Sequence, residues 1–114
     1  APINMFSLAY PEKSSNWTNR FKMFATQNMW TFILLDSYNG RLWQVQYSTQ
    51  DLDNLFCIPI NKNELVENNE RCIFSIQPLT SMYQYYLIND NTGDMWKFQW
   101  STKGDDYRWI ERFR

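Results

Sequence analysis

Met29-Trp30-Thr31-Phe32-Ile33-Leu34-Leu35-Asp36-Ser37-Tyr38-Asn39-Gly40-Arg41-Leu42-Trp43-Gln44-Val45-Gln46-Tyr47-Ser48-Thr49 returns, 53 residues later and without a gap, as Met82-Tyr83-Gln84-Tyr85-Tyr86-Leu87-Ile88-Asn89-Asp90-Asn91-Thr92-Gly93-Asp94-Met95-Trp96-Lys97-Phe98-Gln99-Trp100-Ser101-Thr102. A period of this size marks a repeated supersecondary unit. Outward from this core, each copy resolves into four short stretches rich in aromatic and branched residues, separated by turn chemistry. They are 20–24, 30–35, 41–49 and 55–60 in the first copy, and 72–77, 83–88, 94–102 and 107–113 in the second. Short strands broken at this spacing predict an all-β fold. Residues 1–18 form an irregular lead-in, and 19–114 form a single domain of two repeats, 19–61 and 72–114, joined by 62–71. The joining segment reads as a loop with at most one helical turn, because Asn68-Asn69 stops any helix.

The central hairpin is the most informative part of each copy. Asn39-Gly40 and Thr92-Gly93 sit between apolar runs, and Gly supplies the positive φ of a tight turn. Asp36 and Asn89 stand just before, where short side chains bond the turn backbone. A two-residue turn sets Leu34 against Val45, Phe32 against Tyr47 and Asp36 against Trp43. In the second copy it sets Leu87 against Phe98, Tyr85 against Trp100 and Asn89 against Trp96. A bulged three-residue loop slips each pairing by one. The first register is favoured because most aromatics then meet apolar partners. Trp43, Val45 and Tyr47 alternate with Leu42, Gln44 and Gln46, as Trp96, Phe98 and Trp100 alternate with Met95, Lys97 and Gln99. One face is expected to be core and the other at least partly wet.

Leu35-Asp36-Ser37-Tyr38-Asn39-Gly40-Arg41-Leu42-Trp43-Gln44-Val45-Gln46 resembles a pattern, Leu-Asp-x-x-x-Gly-x-x-Trp-x-Val-x, of small uncharacterised Gram-negative bacterial proteins that are duplicated in the same way. The resemblance covers about residues 20 to 114 and implies no assigned activity. Asp90-Asn91-Thr92-Gly93-Asp94-Met95-Trp96 is also similar to the blade motif of quinoprotein-type β-propellers, Asp-x-x-Thr-Gly-x-x-x-Trp, with one residue fewer between Gly and Trp. That likeness implies four-stranded antiparallel units, without quinone binding, and two units alone do not close a propeller. The expected architecture is two tandem four-stranded antiparallel sheets, propeller-blade-like, packed as a pseudo-symmetric pair that buries its aromatic faces without a partner.

Bulk properties narrow the function. At 114 residues a single domain is expected, long enough to bury a core without metal or staples. A net charge of −1, from 11 basic and 12 acidic side chains, argues against a general binder of nucleic acid or anionic membranes. No apolar run approaches the ~20 residues of a membrane span. The start at Ala1-Pro2-Ile3 fits a mature end left by signal-peptide removal, and a trimmed chain would begin in the same way. A periplasmic or extracellular location is expected.

The chain contains no His, which removes the commonest general base, the usual triads and most zinc hydrolase sites. No Gly-rich phosphate loop is present. No catalytic residue, metal site or cofactor is therefore assigned. Cys57 and Cys72 flank the junction between copies. Bridged, they close a loop of about 14 residues worth roughly 3 kcal/mol, and unbridged they are two thiols on separate strands. Asp51, Asp53, Asp105 and Asp106 fall in corresponding loops, where a solvated turn is favoured over a Ca²⁺ or glycosidase-type carboxylate pair. The aromatics Trp30, Trp43, Tyr47, Tyr83, Trp96 and Trp100 stand at matching positions and are expected in the core. Trp17, Tyr38, Tyr86, Trp109 and Arg112 break the repeat and are the candidate binding residues.

The functional expectation is a non-catalytic binding or accessory module of the bacterial envelope. Its partner would be a glycan or a protein, with oligomers left open. A protein-interaction or inhibitor module comes second, and a carboxylate-only glycosidase third.

Overall fold

The computed structural model describes residues 20–48, 55–66 and 73–114. The described residues form eight strands: β1 (Phe21–Ala25), β2 (Thr31–Asp36), β3 (Leu42–Gln46), β4 (Phe56–Pro59), β5 (Phe74–Pro78), β6 (Gln84–Asn89), β7 (Met95–Gln99) and β8 (Trp109–Arg112). They form two antiparallel sheets in simple sequential order, β1-β2-β3-β4 and β5-β6-β7-β8. Each of the eight expected strands is present, and the fold is the expected all-β pair of four-stranded units. The third strand of each sheet is shorter than expected, stopping at Gln46 and Gln99. Residues 62–66 of the junction bend without forming a helix. Among the described residues, no helix is long and apolar enough to cross a membrane.

The hairpin register differs from both alternatives drawn from the sequence. Phe32 pairs with Val45, Leu34 with Trp43 and Leu35 with Leu42, while Tyr85 pairs with Phe98 and Leu87 with Trp96. The loop has four residues in each copy. The Gly40 N–H reaches the Asp36 carbonyl at 3.0 Å, and the Gly93 N–H reaches that of Asn89 at 2.7 Å. Asp36 and Asn89 shape this loop by accepting the N–H groups of Tyr38 (3.1 Å) and Asn91 (2.9 Å). Both glycines close it at φ +80°, which is the left-handed conformation that Gly adopts without a Cβ penalty. Relative to a two-residue turn the register moves by two, so every side chain keeps its face. The move replaces Asp36 and Asn89 with Leu34 and Leu87 opposite Trp43 and Trp96, which gives both indoles apolar partners.

Each sheet has a front, bearing Trp43 or Trp96, and a back. In the second sheet the front is buried, through Phe74, Tyr85, Leu87, Trp96, Phe98 and Trp100. In the first sheet the shared core takes the back instead, through Ile33, Leu35, Leu42 and Ile60. The sheets therefore stack as like units in one sense, the back of the first on the front of the second. The expectation that the Leu42, Gln44 and Gln46 side of β3 is at least partly wet holds at Gln46, which is half-buried, but not at Leu42 and Gln44, which are fully buried. The cause is that β2 is apolar on both sides, so the neighbouring sheet decides which side is covered. Trp43 is only 2% exposed, yet it stands outside the shared core. Its neighbours are Leu34, Pro59 and the Arg41 guanidinium, 4.9 Å from its ring.

Polar groups lock the stack. Gln44 donates from Nε2 to the Ser101 carbonyl (2.9 Å), and its Oε1 accepts the Ser101 N–H (3.1 Å) and Arg108 Nε (2.8 Å). The Phe74 N–H bonds the Ser37 carbonyl at 2.9 Å. At Gly40, the rings and methyls of Phe74 and Leu65 come so close that a Cβ would stand 2.9 Å from Leu65 and 3.1 Å from Phe74. Asn61 fixes the same turn, donating to the Gly40 carbonyl and accepting the Leu42 N–H.

Candidate functional site

Strand alternation lays three rows of side chains across the back of the second sheet. One row runs Gln77, Tyr86, Lys97 and Glu111, and another runs Gln84, Gln99 and Trp109. The third holds Ser75, Ile88 and Met95, and Phe113 joins it because its N–H bonds the Met95 carbonyl. Tyr86 and Phe113 meet edge to face with ring centroids 5.5 Å apart. Beside them Lys97, Trp109, Glu111, Arg112 and Phe113 line a shallow depression of about 210 Å³. None of these residues belongs to the shared core. The surface is flat, with aromatic and aliphatic side chains set among one acidic and two basic groups.

Three of the five residues singled out from the sequence come together here: Tyr86, Trp109 and Arg112. Arg112 reaches the rim, where Nη2 bonds Asp94 Oδ1 at 2.9 Å and Cζ lies 5.9 Å from the Trp96 ring. The Arg112 hydrogen bond, with a smaller contribution from the Thr92 hydroxyl, holds the Asp94 carboxyl below the usual carboxylate range. Tyr38 is elsewhere, in the loop of the first hairpin, with the Arg20 guanidinium 5.9 Å from its ring. Trp17 lies outside the described residues. Phe113, Lys97 and Glu111 were not anticipated. Their signal was available in the repeat, because they replace Ile60, Gln44 and Ile58 of the first copy.

Two of the aromatics expected in the core are exposed. Trp30 (37%) and Tyr83 (40%) precede their strands and lean on Tyr47 (5.2 Å) and Trp100 (4.7 Å), each with one side in solvent. Trp43, Trp96 and Trp100 are buried, and Tyr47 is half-buried.

A second concavity of about 370 Å³ runs between the sheets, along Phe24, Thr26, Ile76, Pro78, Met82 and Tyr85. Burial pushes the Tyr85 hydroxyl up from its ordinary value, and a hydrogen bond to Trp100 opposes it. The lining carries no charged group.

The remaining sequence candidates fall into three places. Asp105 opens a single 3-10 turn and pairs with Arg108 at 2.8 Å, and Asp106 follows it in the open. Asp51 and Asp53 lie outside the described residues. Among the described residues no three His, Cys, Asp or Glu side chains converge on a metal position. Cys57, half-buried on β4, is a free cysteine whose thiol burial pushes up to about 11. Cys72 lies outside the described residues.

No family model, curated protein or solved structure matches the chain.

Proposed function

We propose that this chain is a non-catalytic binding or accessory module of the bacterial envelope, and that the back of the second sheet is its working surface. One observation carries the reading. Tyr86 and Trp109, two of the residues that break the internal repeat, share one sheet face with Lys97, Glu111 and Phe113, and Arg112, which pairs with Trp96 on the other face, lines the rim. In the first copy the same face is packed against the second sheet, through Ile33, Leu42 and Gln44. Aromatic side chains and Arg are the residue types that concentrate binding energy at interfaces. Ile88 and Met95 favour a protein partner over a sugar, because aliphatic side chains bury apolar area and do not stack on pyranose rings.

The test probes a glycan array and immobilised envelope proteins with the chain and with Trp109→Ala. Binding that falls by about tenfold or more in the variant, with thermal unfolding unchanged, supports the reading. Equal binding by the two proteins sinks it.

A further inference from the structure

The internal stack of the two sheets is one half of a contact that the surface of the molecule offers again. The back of the first sheet sits on the front of the second. The other two faces are their repeat equivalents. The front of the first sheet carries the buried Trp43 and, around it, the half-buried Phe21, Phe32, Leu34, Val45, Tyr47 and Cys57 and the exposed Met23, none of them in the shared core. The back of the second sheet carries Tyr86, Ile88, Met95 and Lys97, the equivalents of Ile33, Leu35, Leu42 and Gln44. We propose that these two faces dock on each other between copies of this chain, head to tail, repeating between chains the stack formed within one. The proposal rests on the functional reading above and names the partner of that same surface as a second copy.

Three details support the fit. Phe74 fills the space against Gly40 in the internal stack, whereas nothing lies within 4 Å of a Cβ placed on Gly93. Phe21 is the equivalent of Phe74 and would take that open seat in the next chain. Phe113, 46% exposed, is the equivalent of Ile60, which is buried in the internal stack. Most telling is the charge. Gln44 meets the Arg108 guanidinium in the internal stack. Its equivalent Lys97 would meet the equivalent of Arg108, which is Leu55. The cation that would repel Lys97 is thus absent from the one face on which Lys97 is proposed to dock. A head-to-tail contact is heterologous, so it generates a ring if the rotation closes and a filament if it does not. With two units per chain and typically about four to eight blades in a propeller, a closed ring holds two to four chains.

The experiment uses the full chain, Met23→Lys on the front of the first sheet, and Phe113→Lys on the back of the second. Met23 is 54% exposed, and an unchanged β-type circular dichroism spectrum with cooperative unfolding verifies folding of each variant. Met23→Glu repeats the front-face test with the opposite charge. Light scattering and native mass spectrometry of the 13.9 kDa chain read the assembly. The expected result is an assembly of two or more copies, which each variant alone reduces to a monomer. Mixing Met23→Lys with Phe113→Lys should restore a 1:1 pair and nothing larger, since each supplies the one face the other retains. A wild-type monomer at high concentration overturns the proposal. So does an assembly insensitive to either variant, or a mixture that fails to pair. A monomer in which cross-links tie residues 1–19 to Met23 overturns it and assigns the cover to that segment. A monomer that still binds a glycan or envelope protein through Trp109 overturns the self-association and leaves the functional reading standing.

Discussion

Arg20 and Asp36 form a buried ion pair at the mouth of the first hairpin, with Nε–Oδ1 at 2.9 Å and Nη2–Oδ2 at 2.6 Å. The second copy places Ile73 and Asn89 at the same positions, and the buried Asn89 Nδ2 has no hydrogen-bond partner. Both charges are thus exchanged together. Removing one member of a buried pair strands the other at about 3–5 kcal/mol, while replacing both is far milder. Asp36→Asn alone is expected to destabilise by about that amount in urea unfolding. The double variant Arg20→Ile with Asp36→Asn, which copies the second unit, should regain most of the loss. The capping role of Asp36 was legible from its place before the turn. The ion pair was not, because its partner sixteen residues away depends on the register.

Cys57 gives a second prediction at this scale. Burial favours its thiol over the thiolate and raises its pKa from 9.0 to about 11. The folded state then holds the proton that the unfolded state releases between those values, so this group's contribution to stability falls as pH rises from about 9 to about 11. Denaturation midpoints measured across that range should decline more steeply for the native chain than for Cys57→Ala. Equal slopes would show that Cys57 does not titrate as its surroundings require.

Among the elements, the hairpins show what alternation can and cannot specify. Period two identified the strands and grouped Trp43 with Val45 and Tyr47, and Trp96 with Phe98 and Trp100. Loop length was missed, since Asn39-Gly40 and Thr92-Gly93 suit a two-residue turn and the end of a four-residue loop equally well. The hydrogen bonds to the Asp36 and Asn89 carbonyls decide between them. Gly40 and Gly93 share φ +80°, but only Gly40 is crowded. Gly93→Ala is expected to lose about 1–2 kcal/mol from the left-handed backbone alone. Gly40→Ala should lose clearly more, because its new methyl must also displace Leu65 and Phe74. Thermal unfolding of the two variants side by side checks the order, and a larger loss at Gly93 would contradict the packing.

For the whole molecule, the sheets are joined by a core that spans both and by the Gln44, Ser101 and Arg108 cluster. Gln44→Leu keeps the volume roughly constant but leaves the Ser101 N–H and an arm of Arg108 without their acceptor. Stranding buried polar groups costs about 1–3 kcal/mol each. The variant is expected to unfold about 2–4 kcal/mol more easily. A loss below about 0.5 kcal/mol would mean that the cluster does not hold the sheets together. The sequence disclosed two like units and three of the residues on the candidate surface. It did not disclose that the first unit turns its back inward, because Phe32 and Leu34 on one side of β2 are as apolar as Ile33 and Leu35 on the other.

That back-on-front arrangement divides the duplicated positions into two packing environments. Trp43 and Trp96 are identical residues at matching places, yet only Trp96 belongs to the shared core. Positions on the back of the first sheet and the front of the second are tied across copies: a substitution at Gln44 is felt at Ser101 and Arg108. The front of the first sheet and the back of the second have no such tie to each other among the described residues. Two copies of one pattern therefore answer to different packing demands, and exchanging their order in the chain would bring two different faces together.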